Sequence, residues 1–167
     1  MNWESKRVGD IQASATIDIS ERIRQLNVSG SDVIDLISGS PEFDTPPEIK
    51  QATMDALNID YEFMGYTPSA GLLELREAIA GKFAAENKMV VSPTDIIVTV
   101  GVKEGLTIAL QACLEMGDEV LLHTPNWVTY EPLVLLAGAV PVHVPLVSWS
   151  AETLANALLG KITGKTK

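Results

Sequence analysis

The sequence predicts an α/β fold with a mostly parallel sheet and helices on both of its faces. From residue 92 onward, short apolar segments alternate with segments of helical periodicity. The apolar segments are continuous runs rather than alternating patterns, which is typical of strands buried on both faces. Glycine or proline separates most of these segments, as turns between strands and helices require.

The first half of the chain is predicted to contain helices and one short strand. Residues 14–26 carry isoleucine and leucine at near-helical spacing, which predicts an amphipathic helix. Residues 33–38 (VIDLIS) read as a short buried strand. A helix is expected to begin at Pro46 or Pro47, because proline fits the first helical turn. Residues 72–83 predict a further helix with one apolar stripe.

The second half is predicted to contain three strands, each followed by a helix. The expected strands are Ile96–Val100, Glu119–His123 and Val140–Val144. The expected helices are one through Leu106 to Leu114, one from Trp127 to about Ala137, and Ala151–Leu159. The polar end, GKITGKTK, stands where another strand would be expected, so we expect the chain to be a truncated piece of a larger sheet.

A loop over residues 39–47 is the best candidate for a boundary between two parts of the molecule. It holds three prolines and one glycine in nine residues. We therefore divide the chain into residues 1–45 and residues 46–167.

Composition excludes several classes of function. The formal net charge of −10 leaves no basic patch for nucleic acid or an anionic membrane. Cys113 is the single cysteine, so no disulfide framework exists, and its apolar neighbours predict that it is buried. The longest apolar run, 133–147, is too short and too interrupted to span a bilayer, and the polar N-terminus lacks the pattern of a signal peptide. We expect a cytoplasmic protein.

Two places in the predicted sheet could bind a ligand. The loop that begins at Gly101 presents backbone N–H groups at a helix start, where they and the helix dipole can hold a phosphate. A plain structural turn would read the same way, and neither a Walker loop nor a GxGxxG fingerprint occurs. Trp127 follows the next strand and could stack on a planar ring, or only fill a gap beneath a loop. His123 and His143 are interpreted as structural, since no metal-ligand pattern surrounds them.

Four segments together resemble the class I aminotransferases, of the aspartate aminotransferase type. They are ISGSPEF (37–43), GYTPSAGLLELREAI (65–79), TVGVKEGL (99–106) and GDEVLLHTPNWVTY (117–130). The resemblance covers nearly the whole chain. It implies a pyridoxal 5'-phosphate (PLP) enzyme of fold type I that interconverts amino acids and 2-oxo acids. Residues 1–45 would then be an N-terminal arm with a small-domain segment, and residues 46–167 the first part of the PLP-binding large domain.

The resemblance also implies roles for the cofactor-binding residues. Gly101, Val102 and Lys103 match the loop whose amides hold the PLP phosphate. Trp127 matches the aromatic residue that stacks on the pyridine ring. Tyr66 matches the tyrosine that reaches the phosphate of the neighbouring subunit's cofactor, which implies a homodimer.

Substrate-binding roles follow from the same resemblance. Gly39 matches the glycine beside the substrate's α-carboxylate, although this loop departs from the commoner G-E-P-D-F. In one branch of the family, a lysine at the position of Lys103 faces the distal carboxylate of aspartate or glutamate. Ser14 and Thr16 resemble the N-terminal arm of that branch. Lys103 could equally be a simple solvent-facing lysine.

The lysine that binds the cofactor covalently is expected outside this sequence. None of the eight lysines has the serine-rich strand end that precedes it in the family. We therefore expect the 167-residue chain alone to be inactive and incompletely folded unless it pairs with another polypeptide. A β-lyase or a decarboxylating synthase of the same fold stays open as an alternative. A non-catalytic truncated module also stays open, and a mononucleotide-binding domain is more distant.

Overall fold

A computed structural model describes residues 3–9, 11, 14–37, 39, 41–58, 65–146 and 150–167. The α-helices are α1 (Lys6–Gly9), α2 (Ala15–Val28), α3 (Pro47–Asn58), α4 (Leu73–Lys82), α5 (Gly101–Cys113), α6 (Tyr130–Leu136) and α7 (Ala151–Leu159). A π-helical turn, Phe83–Asn87, extends α4, and a 3₁₀ turn spans Pro93–Asp95. The strands are β1 (Glu119–Thr124) and β2 (Val140–Pro145).

The chain forms two compact units. One joins Met1–Ile37 to Val100–Lys167, and the other is Ser38–Thr99. The first unit contains both strands and the helices α1, α2, α5, α6 and α7, and the second contains α3 and α4. The division at residue 45 that the sequence suggests stays a prediction.

The first unit is built around a parallel β1–α6–β2 crossover. β1 pairs with β2 in register from Glu119 opposite Val140 to Thr124 opposite Pro145. Gly117 and Gly138 make the turns that precede the two strands, with φ of +90° and +83°. Such left-handed backbone favours glycine because it has no Cβ. The N–H of Gly117 donates to the carbonyl of Gly138 (3.1 Å), so the two turns are joined.

The buried core of the described residues lies in this crossover. Val134 of α6 is 1% exposed and packs with Leu122 of β1 and Ala139. Leu133 and Val144 are also buried. Partly buried side chains surround the cluster: Leu110, Leu114, Val120 and Tyr130. Burial of these apolar groups is the main stabilisation of the unit.

The last residues of the sequence lie along the other edge of β1. The N–H of Glu119 donates to the carbonyl of Lys165 (2.8 Å), and the N–H of Lys167 donates to the carbonyl of Glu119 (3.0 Å). Thr166 therefore forms a parallel bridge with Glu119.

The second unit is held by hydrogen bonds and one close contact. The guanidinium of Arg76 donates to the carbonyls of Gly71 (3.2 Å) and Pro93 (3.0 Å). The N–H of Val98 donates to the carbonyl of Ala70 (3.0 Å). Gly71 has a φ of +93°, and a Cβ at this position would lie 2.6 Å from Val98 Cγ2. Only glycine fits there without a shift of its neighbour.

Most of the predicted elements are confirmed. The α/β class and the parallel sheet are present, and α2, α3, α4, α5, β1, β2 and α7 lie where the sequence places them. The predicted helix after Trp127 begins three residues later, at Tyr130, because residues 125–129 form a loop. The short helix α1 was not predicted. Within the described segments, no helix is long and apolar enough to cross a membrane.

Two predicted strands and one burial prediction are wrong. Residues 33–37 are irregular, with Ile34 and Leu36 82% and 90% exposed, and Ser38 lies outside the described residues. Residues 96–99 are not paired as a strand among the described residues. Both segments are apolar, but a strand also needs a neighbouring strand to accept its backbone hydrogen bonds. Cys113 is exposed rather than buried, because nothing in the described part covers its face of α5.

Candidate cofactor and substrate site

The first turn of α5 begins at a sharp bend in the backbone. Gly101 opens the helix with a φ of +76°, a conformation that favours glycine. Val100 precedes it with φ −74° and ψ 70°, outside both helical and strand geometry. The N–H of Val100 donates to the Glu104 carboxylate, one turn further along the helix.

The start of α5 combines backbone N–H groups with a lysine side chain. The first N–H groups of a helix have no acceptor within it, and the helix dipole adds about half a positive charge at this end. Val102 and Lys103 lie in this first turn, and both are exposed. Among the residues that the structure describes, no carboxylate lies within ion-pair distance of the Lys103 ammonium. An anion can thus meet backbone donors and a cation together.

Trp127 lies in the loop between β1 and α6. The peptide bond between Thr124 and Pro125 is cis, and the amide of Asn126 donates to the carbonyl of His123 (2.8 Å). The carbonyl of Trp127 accepts from the N–H of Tyr130 (3.1 Å), so the loop leads directly into α6. The Trp127 side chain is 52% exposed. Part of its ring is therefore available to a ligand.

A cavity of about 430 Å³ brings these residues together within the first unit. Its lining residues are Val100, Gly101, Val102, Lys103, Leu106, Trp127, Thr129 and Tyr130. This volume falls in the range of about 300–1,000 Å³ that is typical of small-molecule sites. The walls are mainly apolar, and the lining includes the first residues of α5 and one lysine. The arrangement suits a flat ligand that carries an anionic group.

Gly101, Val102, Lys103 and Trp127 line the same cavity, together with residues that the sequence analysis did not single out. Leu106 follows Val102 and Lys103 by four and three residues, so helical periodicity alone puts it on their face of α5. Thr129 and Tyr130 lie at the start of α6, directly after the Trp127 loop. Their position after a parallel strand was the available signal.

The other predicted site residues are not among those that line the cavity. Ser14 precedes α2, and its Oγ lies 2.9 Å from Thr16 Oγ1, with both side chains half-buried. Tyr66 and Gly39 belong to the second unit, where both are exposed. Their predicted roles stay predictions.

Charged and metal-ligating side chains elsewhere give no competing site among the described residues. No group of three or more His, Cys, Asp or Glu side chains there could hold a metal ion. His143 Nε2 lies 3.5 Å from Glu131 Oε2, in a half-exposed pair between β2 and α6. On α2, hydrogen bonds from Arg24, and secondarily from Gln25, lower the pKa of Glu21 to about 2. That pair lies on one helix and faces solvent.

The sequence model of aminotransferase class I and II matches residues 31–167. This chain belongs to that family. The chain is 45% identical over 145 residues to a probable aspartate/prephenate aminotransferase of Thermus aquaticus, covering 87% of this chain and 37% of that protein. It is 44% identical over 140 residues to an aspartate aminotransferase of Geobacillus stearothermophilus, covering 84% of this chain and 35% of that protein.

Solved structures of the family share the fold. The aspartate aminotransferase of Thermus thermophilus with maleate superimposes with a TM-score of 0.88 at 39% identity, over 100% of this chain and 44% of that one. The fold-type-I assignment is thereby confirmed. The chain spans less than half the length of each of these three relatives.

Proposed function

We propose that the protein is a PLP-dependent aminotransferase and that this chain supplies the phosphate-binding end and one wall of its cofactor site. The observation that carries the proposal is the cavity that joins the first turn of α5 to Trp127. Family membership supports it, because aminotransferases of class I and II use PLP. The activity of the whole protein and its substrates are part of the proposal.

The residues of the cavity fit the chemistry of this cofactor. PLP carries a phosphate on a planar aromatic ring. The backbone of Gly101, Val102 and Lys103 offers the positive end of a helix dipole, which suits a phosphate. Trp127 offers a flat, half-exposed face for the ring, and such contacts favour offset stacking. Leu106 and Tyr130 add apolar surface to the same cavity.

In the proposed reaction, this chain binds and orients. The cofactor withdraws electrons from the α-carbon of the amino acid, so that its proton can be removed. Amides of the α5 first turn fix the phosphate end, and Trp127 limits the tilt of the ring. A fixed ring presents the reacting carbon in one geometry, which lowers the entropic part of the barrier. We assign no covalent anchor within residues 1–167.

We further propose that the substrates are dicarboxylic. Lys103 lines the cavity, and its ammonium has no ion-pair partner among the described residues, so a second substrate carboxylate would have a cation available. Support comes from the solved relative described with maleate, a dicarboxylate. Ser14, Thr16 and Gly39 are proposed as further substrate-binding residues.

A homodimer and a cytoplasmic location complete the proposal. Tyr66 is fully exposed in the second unit, as a side chain that reaches a neighbouring subunit's cofactor must be. The amino acid and 2-oxo acid are the small-molecule partners, and the acidic charge disfavours nucleic acid and anionic membranes.

The first test is transamination by the complete gene product, loaded with PLP and desalted. We expect an absorption band that aspartate changes and a 2-oxo acid restores. Lys103→Gln should lower kcat/KM for aspartate by about 10- to 100-fold, the loss of one charge-assisted hydrogen bond. It should change kcat/KM for alanine by less than about 2-fold, because alanine has no second carboxylate to lose a contact.

Lys161→Gln provides the matched control, since Lys161 is exposed and is not among the cavity-lining residues. It should leave both rates unchanged. Equal losses with aspartate and alanine in Lys103→Gln would contradict the dicarboxylate assignment. Stable PLP binding without amino-group transfer would instead favour a lyase or synthase of the same fold.

A further inference from the structure

The Glu104 side chain lies next to the cavity-lining residues of α5, and the proposed function leaves it without a role. Its carboxylate accepts a hydrogen bond from the N–H of Val100, the residue immediately before α5. Val100 itself lines the cavity, together with the three residues that follow it. Glu104 is exposed and does not line the cavity. Its link to the cavity is therefore the hydrogen bond with the Val100 backbone N–H.

The hydrogen bond from Val100 to Glu104 restrains a stretch of backbone that has neither helix nor strand geometry. Val100 has neither helical nor strand dihedral angles, and Gly101 adopts a left-handed conformation. Glycine is the most flexible residue, so this bend would sample several orientations without a second restraint. The Glu104 carboxylate supplies that restraint one turn along a regular helix. It holds the Val100 N–H in one direction.

The charge of Glu104 acts against the same ligand. A carboxylate near a helix start is stabilised by the dipole, but it also repels an incoming phosphate. The hydrogen-bond acceptor and the negative charge can therefore be separated by mutation. Glutamine keeps an acceptor oxygen at the same distance along the side chain and removes the charge.

We propose that Glu104 is a positioning residue for the cofactor phosphate, acting through Val100 N–H to hold the α5 first turn in its phosphate-binding conformation. The proposal rests on the assignment of the phosphate to this turn. It assigns to Glu104 no contact with the cofactor or substrate. The acceptor oxygen favours phosphate binding, and the charge is not needed for it.

The test compares the dissociation constants of PLP and of pyridoxal, which lacks the phosphate, in the complete gene product. Glu104→Ala should weaken PLP binding by about 5- to 10-fold, the effect of losing one hydrogen bond of ordinary strength. Its affinity for pyridoxal should stay within about 2-fold of the wild type, because no phosphate is held. Glu104→Gln should bind PLP as tightly as the wild type or more tightly.

Glu115→Ala is the matched control, since it removes the same exposed charge just beyond the other end of α5. It should not change the ratio of the two affinities. If Glu104→Ala does not fold, Glu104→Ser repeats the test, because its hydroxyl is too short to reach Val100. An unchanged PLP-to-pyridoxal ratio in the variant that folds would overturn the proposal. So would a Glu104→Gln protein as weak as Glu104→Ala.

Failure of the underlying site assignment has a different signature. A wild-type protein that binds PLP no more tightly than pyridoxal would show that no phosphate is held at this turn. In that case the proposed function fails. A wild type that prefers PLP, with variants that do not change the preference, removes only the role of Glu104.

Discussion

The β1–α6–β2 crossover and the segment from residue 65 to residue 99 are organised by different interactions. Every buried hydrophobic residue of the described part lies in the crossover, with Val134 at its centre. The 65–99 segment contains no buried residue, yet it carries α4, a π-helical turn and a 3₁₀ turn. Its fold depends on side-chain-to-backbone hydrogen bonds from Arg76 and on the contact between Gly71 and Val98.

This difference teaches that burial alone is a poor guide to which positions tolerate change. In the crossover, stability comes from removing apolar area from water, so the cost of a mutation should follow burial. In the 65–99 segment, it comes from backbone conformation and steric fit, so a residue without a side chain can be the most sensitive one. Measurements of unfolding free energy in the two regions can separate these cases.

The largest effect is expected at Gly71. Gly71→Ala should lower the free energy of unfolding by about 3 kcal/mol, combining a left-handed alanine with a Cβ forced against the Val98 side chain. Gly30→Ala is the control, because Gly30 has a similar φ of +84° with no atom within 4 Å of the added Cβ. It should cost only about 1 kcal/mol. Urea denaturation of both variants checks this.

A Val98→Gly background separates the two contributions at Gly71. The Val98 Cβ itself would lie 2.7 Å from the added Cβ, so the whole side chain must be removed to make room, and Gly71→Ala should then cost about as much as Gly30→Ala. An equal cost of Gly71→Ala in both backgrounds would mean that the steric contact does not constrain this segment.

The next effect is expected at Val134 in the crossover. Val134→Ala should lower the free energy of unfolding by about 2 kcal/mol, from lost burial and the cavity that is left. The same substitution at Val28, which is 81% exposed at the end of α2, should change it by less than about 0.5 kcal/mol. Urea denaturation measures both changes in the free energy of unfolding. Equal changes at the two valines would contradict the proposed difference between the buried core and the exposed helix.

The sequence predicted helices better than strands, and these two regions show why. A helix satisfies its own backbone hydrogen bonds, so the spacing of apolar residues sufficed for α7, predicted and found at Ala151–Leu159. A strand makes its backbone hydrogen bonds with a neighbouring strand, and the local sequence does not show which segment that neighbour is. β1 and β2 have each other, whereas the equally apolar segments 33–37 and 96–99 have no strand partner among the described residues.

The candidate site shows the same limit. The helix-start loop and Trp127 were each predicted as possible ligand-binding features from local sequence pattern. The family resemblance then assigned both to one cofactor site. Thr129 and Tyr130 line the cavity because the loop before α6 delays the helix to Tyr130. A helix predicted from Trp127 onward gives no reason to single them out. Glu104 was missed because its role depends on where a backbone N–H points.

The smallest effect is expected on α2, which has neither a buried core nor a close contact. Hydrogen bonds from Arg24 lower the pKa of Glu21 from 4.5 to about 2. A carboxyl with a lowered folded-state pKa stabilises the fold above its unfolded pKa and loses that contribution as pH falls through the folded pKa. Glu21→Gln should therefore reduce stability slightly at pH 6, and the difference from wild type should shrink between about pH 4.5 and pH 2. Since both side chains are exposed to solvent, 1 M salt should remove most of the difference. A difference that persists in 1 M salt would show that Glu21 acts through packing rather than charge, and α2 would then resemble the crossover more closely than its exposure indicates.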